Sequence, residues 1–167
     1  THPISFEVQS TADAFTYIDG ITYGKGASAL RQLSFLVGEN KFRKALKLYF
    51  KKFAHKNTKM GDFMDIMASV TNKDLAQWEQ RWVQTAMLNR VEVFYTCKKG
   101  RVNQFEVFQT GTEEYPTLRT HKTKVALFRR VRGKYKLYHQ TNVLYKGGRT
   151  EVKKLIGKYC PDIVYPN

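Results

Sequence analysis

The sequence has few of the residues that mark specialised protein classes. Its 167 residues include two cysteines, four prolines and eleven glycines. So little Pro and Gly excludes collagen and low-complexity chains. Cys97 and Cys160 stand far apart and form no C-x-x-C pair, which excludes a zinc finger or a thioredoxin-type redox motif. We therefore expect two reduced, buried thiols and no disulfide framework.

Long hydrophobic runs are also absent. No stretch approaches the roughly 18 apolar residues of a transmembrane helix, and the beginning of the chain lacks the basic-then-apolar pattern of a signal peptide. We expect no membrane segment in this chain, and the expected thiols favour a cytoplasmic location unless a leader or anchor has been removed. Because the first residue is Thr1 and not Met, we expect a piece of a longer protein.

Acidic residues are scarce. The chain carries 29 Lys and Arg against 14 Asp and Glu, a formal net charge of +15. After Arg90 the excess is larger, with 16 basic and 6 acidic residues. Such a balance attracts nucleic acid, a membrane surface or acidic partners, and it also occurs on a merely solvated face. No DNA- or RNA-binding module is recognisable, so we expect no nucleic-acid partner.

The spacing of apolar residues changes once along the chain, near residue 90. Before it, apolar residues recur with helical spacing in four stretches, which centre on Leu33, Leu46, Ile66 and Trp78. Gly38 suits the end of the first of these helices, and Asn72 and Asp74 suit the beginning of the last. The pattern predicts a helical module over residues 1–89, with its boundary at Met87 to Arg90.

After residue 90 apolar residues alternate with polar ones, as in strands that are buried on one face. Turn-forming residues separate the strands at 98–100, 132–134 and 146–149. Short strands spaced by turns predict a small β-sandwich over residues 90–167, with a short strand around Val152 after the turn at 146–149. The fold class is therefore α+β, a helical piece followed by a β-sandwich.

Most catalytic signatures are missing. The chain has no H-E-x-x-H, no P-loop and no G-x-S-x-G, and each of its four histidines is expected to be structural or exposed. The unusual stretch is Asp19–Ser28, which sets Tyr23 and two glycines at the expected beginning of a helix. A tyrosine hydroxyl there would suit a developing oxyanion, whereas a packed helix-entry tyrosine is the plainer interpretation.

This stretch resembles the zinc aminopeptidases of the aminopeptidase N type, the gluzincins. Asp19–Ser28 looks like the family's D-G-I-[ST]-Y-x-K-G-A-S block, and Thr1–Ile4 looks like its T/S-H-P-I segment. The family usually has Phe where this chain has Ile18. The likeness continues through residues matching the end of the family's thermolysin-like domain and its bacterial β-sandwich: Asn57, Thr58, Asp62, Phe63, Trp78, Trp82, Thr85, Pro116, Leu118, Arg119, His121, Arg149–Val152, Pro161, Asp162, Pro166 and Asn167.

The resemblance implies a division of labour. It assigns residues 1–89 to the C-terminal helical part of a thermolysin-like peptidase domain, and residues 90–167 to the following β-sandwich. Tyr23 matches the tyrosine whose hydroxyl stabilises the oxyanion beside a catalytic zinc. The family's zinc ligands and its G-x-M-E-N motif lie upstream, so zinc is expected in the parent and none on this chain.

The resemblance therefore predicts part of a metallo-aminopeptidase that removes N-terminal residues from peptides, and that is inactive as this piece alone. Two alternatives stay open. The first is a non-catalytic binding module derived from such a peptidase. The second is a basic nucleic-acid-binding protein, which the net charge of +15 suggests.

Overall fold

A computed structural model describes residues 2–5 and 8–167, apart from the side chains of residues 14, 16 and 17. Within these residues, five α-helices are followed by two antiparallel sheets of three strands each, so the α+β class is confirmed. The chain divides into two compact units, Thr1–Met87 and Leu88–Asn167. No helix in the described part of the chain is long and apolar enough to cross a membrane.

The first unit, called the helical unit below, begins with a short helix that sequence periodicity did not reveal. Seven residues are too few to show an apolar stripe. The other four helices match the four predicted stretches. Their bounds are α1 Thr11–Tyr17, α2 Gly20–Val37, α3 Glu39–Lys52, α4 Met60–Thr71 and α5 Ala76–Trp82.

Three residues between these helices have positive φ: Gly38, His55 and Asn72. Gly38 ends α2 with φ of 95°, as expected of a glycine at a helix C-terminus. Asn72 was expected at the beginning of the last helix, and this is wrong: with φ of 54° it ends α4 instead. Asn tolerates the left-handed region almost as glycine does, so it suits either end of a helix. Asp74 does stand before α5, where its Oδ1 accepts the Ala76 N–H at 3.0 Å.

The helical unit has its own apolar core. Leu33 and Met67 are fully buried, and Trp78 and Trp82 stack with ring centroids 6.0 Å apart. The segment before α1 joins this core, because the N–H groups of Ile4 and Ser5 both donate to the Val83 carbonyl, at 2.8 and 3.0 Å. The core thus fixes the position of α2, the helix that carries Tyr23.

The second unit, called the sandwich below, consists of two sheets with the strand orders β1-β2-β5 and β4-β3-β6. Buried residues from both sheets form one core, which includes Phe105, Leu127 and Tyr145. The predicted turns contain Lys99–Gly100 and Arg132–Gly133, all with positive φ. The bounds are β1 Arg90–Lys98, β2 Arg101–Thr110, β3 His121–Val131, β4 Lys134–Tyr145, β5 Arg149–Glu151 and β6 Ile163–Pro166.

The expectation of two reduced thiols is wrong. Cys97 and Cys160 form a disulfide, with their Cα atoms 5.9 Å apart. Strand pairing brings them together. Cys97 lies near the end of β1, next to the beginning of its partner strand β2 at Arg101. Arg101 in turn forms a β-bridge with Tyr159, the residue before Cys160. The two cysteines are 63 residues apart in the sequence, and this separation gives no indication that they are close in space.

Candidate functional site

Asp19 fixes the point at which α2 begins. Its Oδ1 accepts the N–H groups of Ile21 and Thr22, each at 2.9 Å. These amides have no partner inside the helix, and an aspartate at this position is a common N-cap. The backbone N–H of Tyr23 donates to the Asp19 carbonyl at 3.2 Å. The structure therefore places Tyr23 in the first turn of α2.

His2 holds Asp19 from the other side. Its Nε2 lies 3.1 Å from Oδ2 of Asp19, and its Nδ1 lies 2.6 Å from the Pro3 carbonyl. These two acceptors raise the pKa of His2, the carbonyl more than the carboxylate. The N–H of Thr22, and to a smaller degree His2, lower the pKa of Asp19. The pair is thus biased towards imidazolium and carboxylate. Thr1, which begins the same sequence segment, lies outside the described residues.

Tyr23 is open to solvent. Its side chain is 71% exposed, and its hydroxyl makes no hydrogen bond within the part of the chain that the structure describes. Residues three and four positions away are its neighbours on a helix surface. Those neighbours include Gly20, Gly26 and Ala27, which are too small to cover the ring. Among the described residues, nothing covers the hydroxyl.

The glycines of this stretch act through their lack of a side chain. Gly24 and Gly26 lie within α2 and do not have positive φ. A Cβ at Gly24 would meet no atom within 4 Å, so its absence leaves the helix surface next to Tyr23 bare. Gly26 faces inward, where an added Cβ would lie 4.0 Å from Cγ2 of Ile4.

Lys25 joins α2 to the segment that follows α5. Its Nζ donates to the Thr85 carbonyl at 2.6 Å, across 60 residues of sequence. Three stretches that resemble the family are therefore joined in space, because His2 contacts Asp19 and Lys25 contacts Thr85. The sequence analysis identified these stretches but missed the contact of His2 with Asp19, because nothing in the sequence around His2 indicates it.

A cavity of about 350 Å³ adjoins the same helix. Gly26 and Leu30, roughly one and two turns beyond Tyr23, line it together with Trp78. The indole Nε1 of Trp78 is buried and has no partner among the described residues. The other lining residues are mainly apolar: Ile4, Ala29, Tyr49, Thr58, Lys59, Met60, Phe63, Met64 and Val83.

The sandwich contains a separate polar cluster around Arg119. Its backbone N–H donates to Oε1 of Gln109 at 3.1 Å, and its guanidinium donates to Oδ1 of Asn89 at 3.0 Å. Burial lowers the pKa of Arg119, and it lowers that of His121 to about 4, with a smaller contribution from Arg119. His121 stacks on Tyr145 with ring centroids 5.1 Å apart, so these family-like positions build the fold.

Metal ligands do not converge in the described residues. Within 2–5 and 8–167, no three His, Cys, Asp or Glu side chains lie together as a metal ion requires. These residues therefore do not fit a zinc site.

Known proteins match both units of the chain. Residues 1–82 match the family model described as the peptidase family M1 domain. The chain is 34% identical over 177 aligned residues to "Aminopeptidase N" of Streptomyces lividans, an alignment that covers 100% of this chain and 20% of that protein. It is 30% identical to "Tricorn protease-interacting factor F2" of Thermoplasma volcanium, covering 76% of this chain and 17% of that protein.

A solved structure has a similar fold. The crystal structure of Legionella pneumophila aminopeptidase A in complex with aspartic acid aligns with a TM-score of 0.62 and 14% identity. The alignment covers 82% of this chain and 15% of that one. At this identity the likeness concerns the fold alone. The chain thus spans a fifth or less of the length of these relatives.

Proposed function

Because this chain belongs to peptidase family M1, whose domain model matches its residues 1–82, we propose that it is part of a zinc-dependent aminopeptidase. The whole protein removes N-terminal residues from peptides, and this chain supplies the end of its catalytic domain and a β-sandwich. The observation that carries the proposal is the match to "Aminopeptidase N" of Streptomyces lividans along the full length of the chain.

The contribution of this chain to the reaction is the hydroxyl of Tyr23. Attack on a peptide carbonyl puts negative charge on its oxygen, and a fixed donor near that oxygen lowers the barrier. Three features support Tyr23 in this role: its 71% exposure, its unengaged hydroxyl within the described residues, and its fixed place in the first turn of α2. The Asp19 cap and His2 hold that turn, which makes them positioning residues.

Zinc belongs to the family, and its ligands in the whole protein are expected outside this chain. When bound, zinc supplies a Lewis acid and an activated water. The described residues of this chain contribute the hydroxyl donor and the helix that orients it. We therefore expect the chain to be inactive by itself.

The experiment is a turnover assay with the whole protein. We expect hydrolysis of an amino-acid anilide with a free amine and no hydrolysis of the same anilide after N-acetylation, since an aminopeptidase must recognise the amine. Turnover of neither compound would favour the alternative of a non-catalytic binding module. Equal turnover of both would contradict an aminopeptidase. The cytoplasmic location stays a prediction, although the disulfide removes the thiols on which it was based.

A further inference from the structure

One end of the sandwich gathers cations around a single aromatic ring. The guanidinium carbon of Arg101 lies 4.7 Å from the ring centroid of Tyr159, and that of Arg129 lies 5.1 Å from it. The β1–β2 turn and the β3–β4 hairpin therefore end side by side. We define the basic tip as Lys98, Lys99, Arg101, Arg129–Leu137 and Tyr159.

The basic tip carries eight cationic side chains. Five of them fall within residues 129–136, a stretch without any acidic residue. None of the eight takes part in an ion pair within the described residues. The carboxylate of Asp162 contacts the hairpin, where it accepts the backbone N–H of Arg130 at 2.7 Å. Such a concentration of one charge attracts a polyanionic surface.

Apolar side chains stand among these cations. Val131 is 42% exposed, Tyr135 is 54% exposed and Leu137 is 49% exposed. In the strand register Tyr135 lies opposite Arg130, and Val131 lies opposite Lys134. Tyrosine and aliphatic side chains beside Lys and Arg are typical of protein surfaces that enter the membrane interface.

The part of the basic tip around Tyr159 is cross-linked to the rest of the sandwich. The Cys97–Cys160 disulfide joins the β1–β2 end to the segment that carries Tyr159. Arg101 also donates to the Gly157 carbonyl at 2.8 Å, and the Tyr138 hydroxyl donates to the Tyr159 carbonyl. The backbone that carries Tyr159 and Arg101 is therefore fixed before any partner arrives, which reduces the entropy cost of binding.

We propose that the basic tip docks the sandwich on an anionic phospholipid bilayer. The cations meet the phosphates of the headgroups, while Tyr135 and Leu137 enter the interface between headgroups and acyl chains. Single-stranded nucleic acid fits less well, because its bases stack on several aromatic rings, whereas the basic tip has two, Tyr135 and Tyr159, and two guanidinium groups already lie against the ring of Tyr159.

The test uses the 167-residue chain and sedimentation with vesicles. We expect binding to vesicles of phosphatidylcholine mixed with an equal part of phosphatidylglycerol, and little binding to phosphatidylcholine alone. Binding should weaken as salt rises from about 0.1 to about 0.5 M, because salt screens exposed charges. No binding to the anionic vesicles at the lower salt concentration would overturn the proposal.

Variants locate the surface. The triple variant Arg130→Gln, Arg132→Gln, Lys136→Gln should weaken binding roughly a hundredfold, since each cation near an anionic surface contributes about fivefold. The matched control is Lys44→Gln, Lys47→Gln, Lys51→Gln on exposed positions of α3, which removes the same charge from the helical unit. An equal loss in both triple variants would mean that net charge alone drives binding, and would overturn the assignment.

Two further measurements complete the test. Leu137→Ser leaves the charge unchanged and should weaken binding about tenfold if the side chain enters the interface; unchanged binding would overturn that part of the proposal. Tighter binding to a single-stranded oligonucleotide than to the anionic vesicles at the same salt concentration would mean that the basic tip binds nucleic acid, and would overturn the lipid proposal. Circular dichroism spectra identical to that of the unaltered chain establish that each variant is folded.

Discussion

The disulfide should contribute a large share of the stability of the sandwich. Cys97 and Cys160 are 63 residues apart, so the bond closes most of this unit into one loop. In the chain-entropy model, a loop of this length stabilises the folded state by about 4 kcal/mol at 25 °C. For a unit of this size, each kcal/mol corresponds to about 4–8 °C, so replacing both cysteines by serine should lower the melting temperature by roughly 15–30 °C.

The assay can separate the two units, because the two tryptophans of the chain, Trp78 and Trp82, both belong to the helical unit. Tryptophan fluorescence therefore follows the helical unit alone, whereas far-UV circular dichroism follows both units. We expect the Cys97→Ser, Cys160→Ser variant to shift the circular dichroism transition much more than the fluorescence transition. Unchanged melting by both probes, or two titratable thiols in the unreduced, unfolded chain, would refute the disulfide.

Three further predictions concern zinc, acid and one glycine. The chain should hold no stoichiometric zinc after dialysis, and elemental analysis that finds one zinc per chain would contradict this. Burial lowers the pKa of His121 to about 4 in the folded chain. As pH falls, the imidazole is therefore protonated in the unfolded chain before it is protonated in the folded one, so the sandwich should lose stability between about pH 6.5 and pH 4. Histidine NMR should show the ring neutral down to about pH 4. A Cβ at Gly111 would lie 2.5 Å from the Tyr115 carbonyl oxygen, so Gly111→Ala should destabilise the sandwich by about 1–3 kcal/mol in urea unfolding. Gly148→Ala, where the closest contact would be 3.6 Å, is the control and should change little.

Helices α2 to α5 and most strands were predictable because their apolar periodicity is a local property. The stripe around Leu33 and the alternation around Val93 each depend on neighbouring residues only. The short helix α1 and the four-residue strand β6 are shorter than the window that such a pattern needs. Asn72 was misplaced because one residue type serves both ends of a helix.

Contacts between distant residues were not predictable. The pairing of Cys97 with Cys160 depends on strand register and on the bridge between Arg101 and Tyr159. Within the candidate site, Tyr23 stood out through its sequence block. The contact of His2 with Asp19 spans 17 residues, and no local pattern records it. The block thus located the site, but only the fold shows what holds it in place.

The role of Tyr23 is tested most directly by steady-state kinetics of the whole protein with Tyr23→Phe, on an amino-acid anilide. Since the side chain is 71% exposed and its hydroxyl has no partner among the described residues, folding and zinc content should stay unchanged. Loss of one oxyanion donor should lower kcat and kcat/KM together by about a hundred- to a thousandfold. Tyr165→Phe, the same change at an exposed tyrosine of the sandwich, should leave both constants unaltered. Activity of the Tyr23→Phe enzyme within a few-fold of the unaltered protein would contradict the account and leave Tyr23 as a helix-entry residue without a part in the reaction.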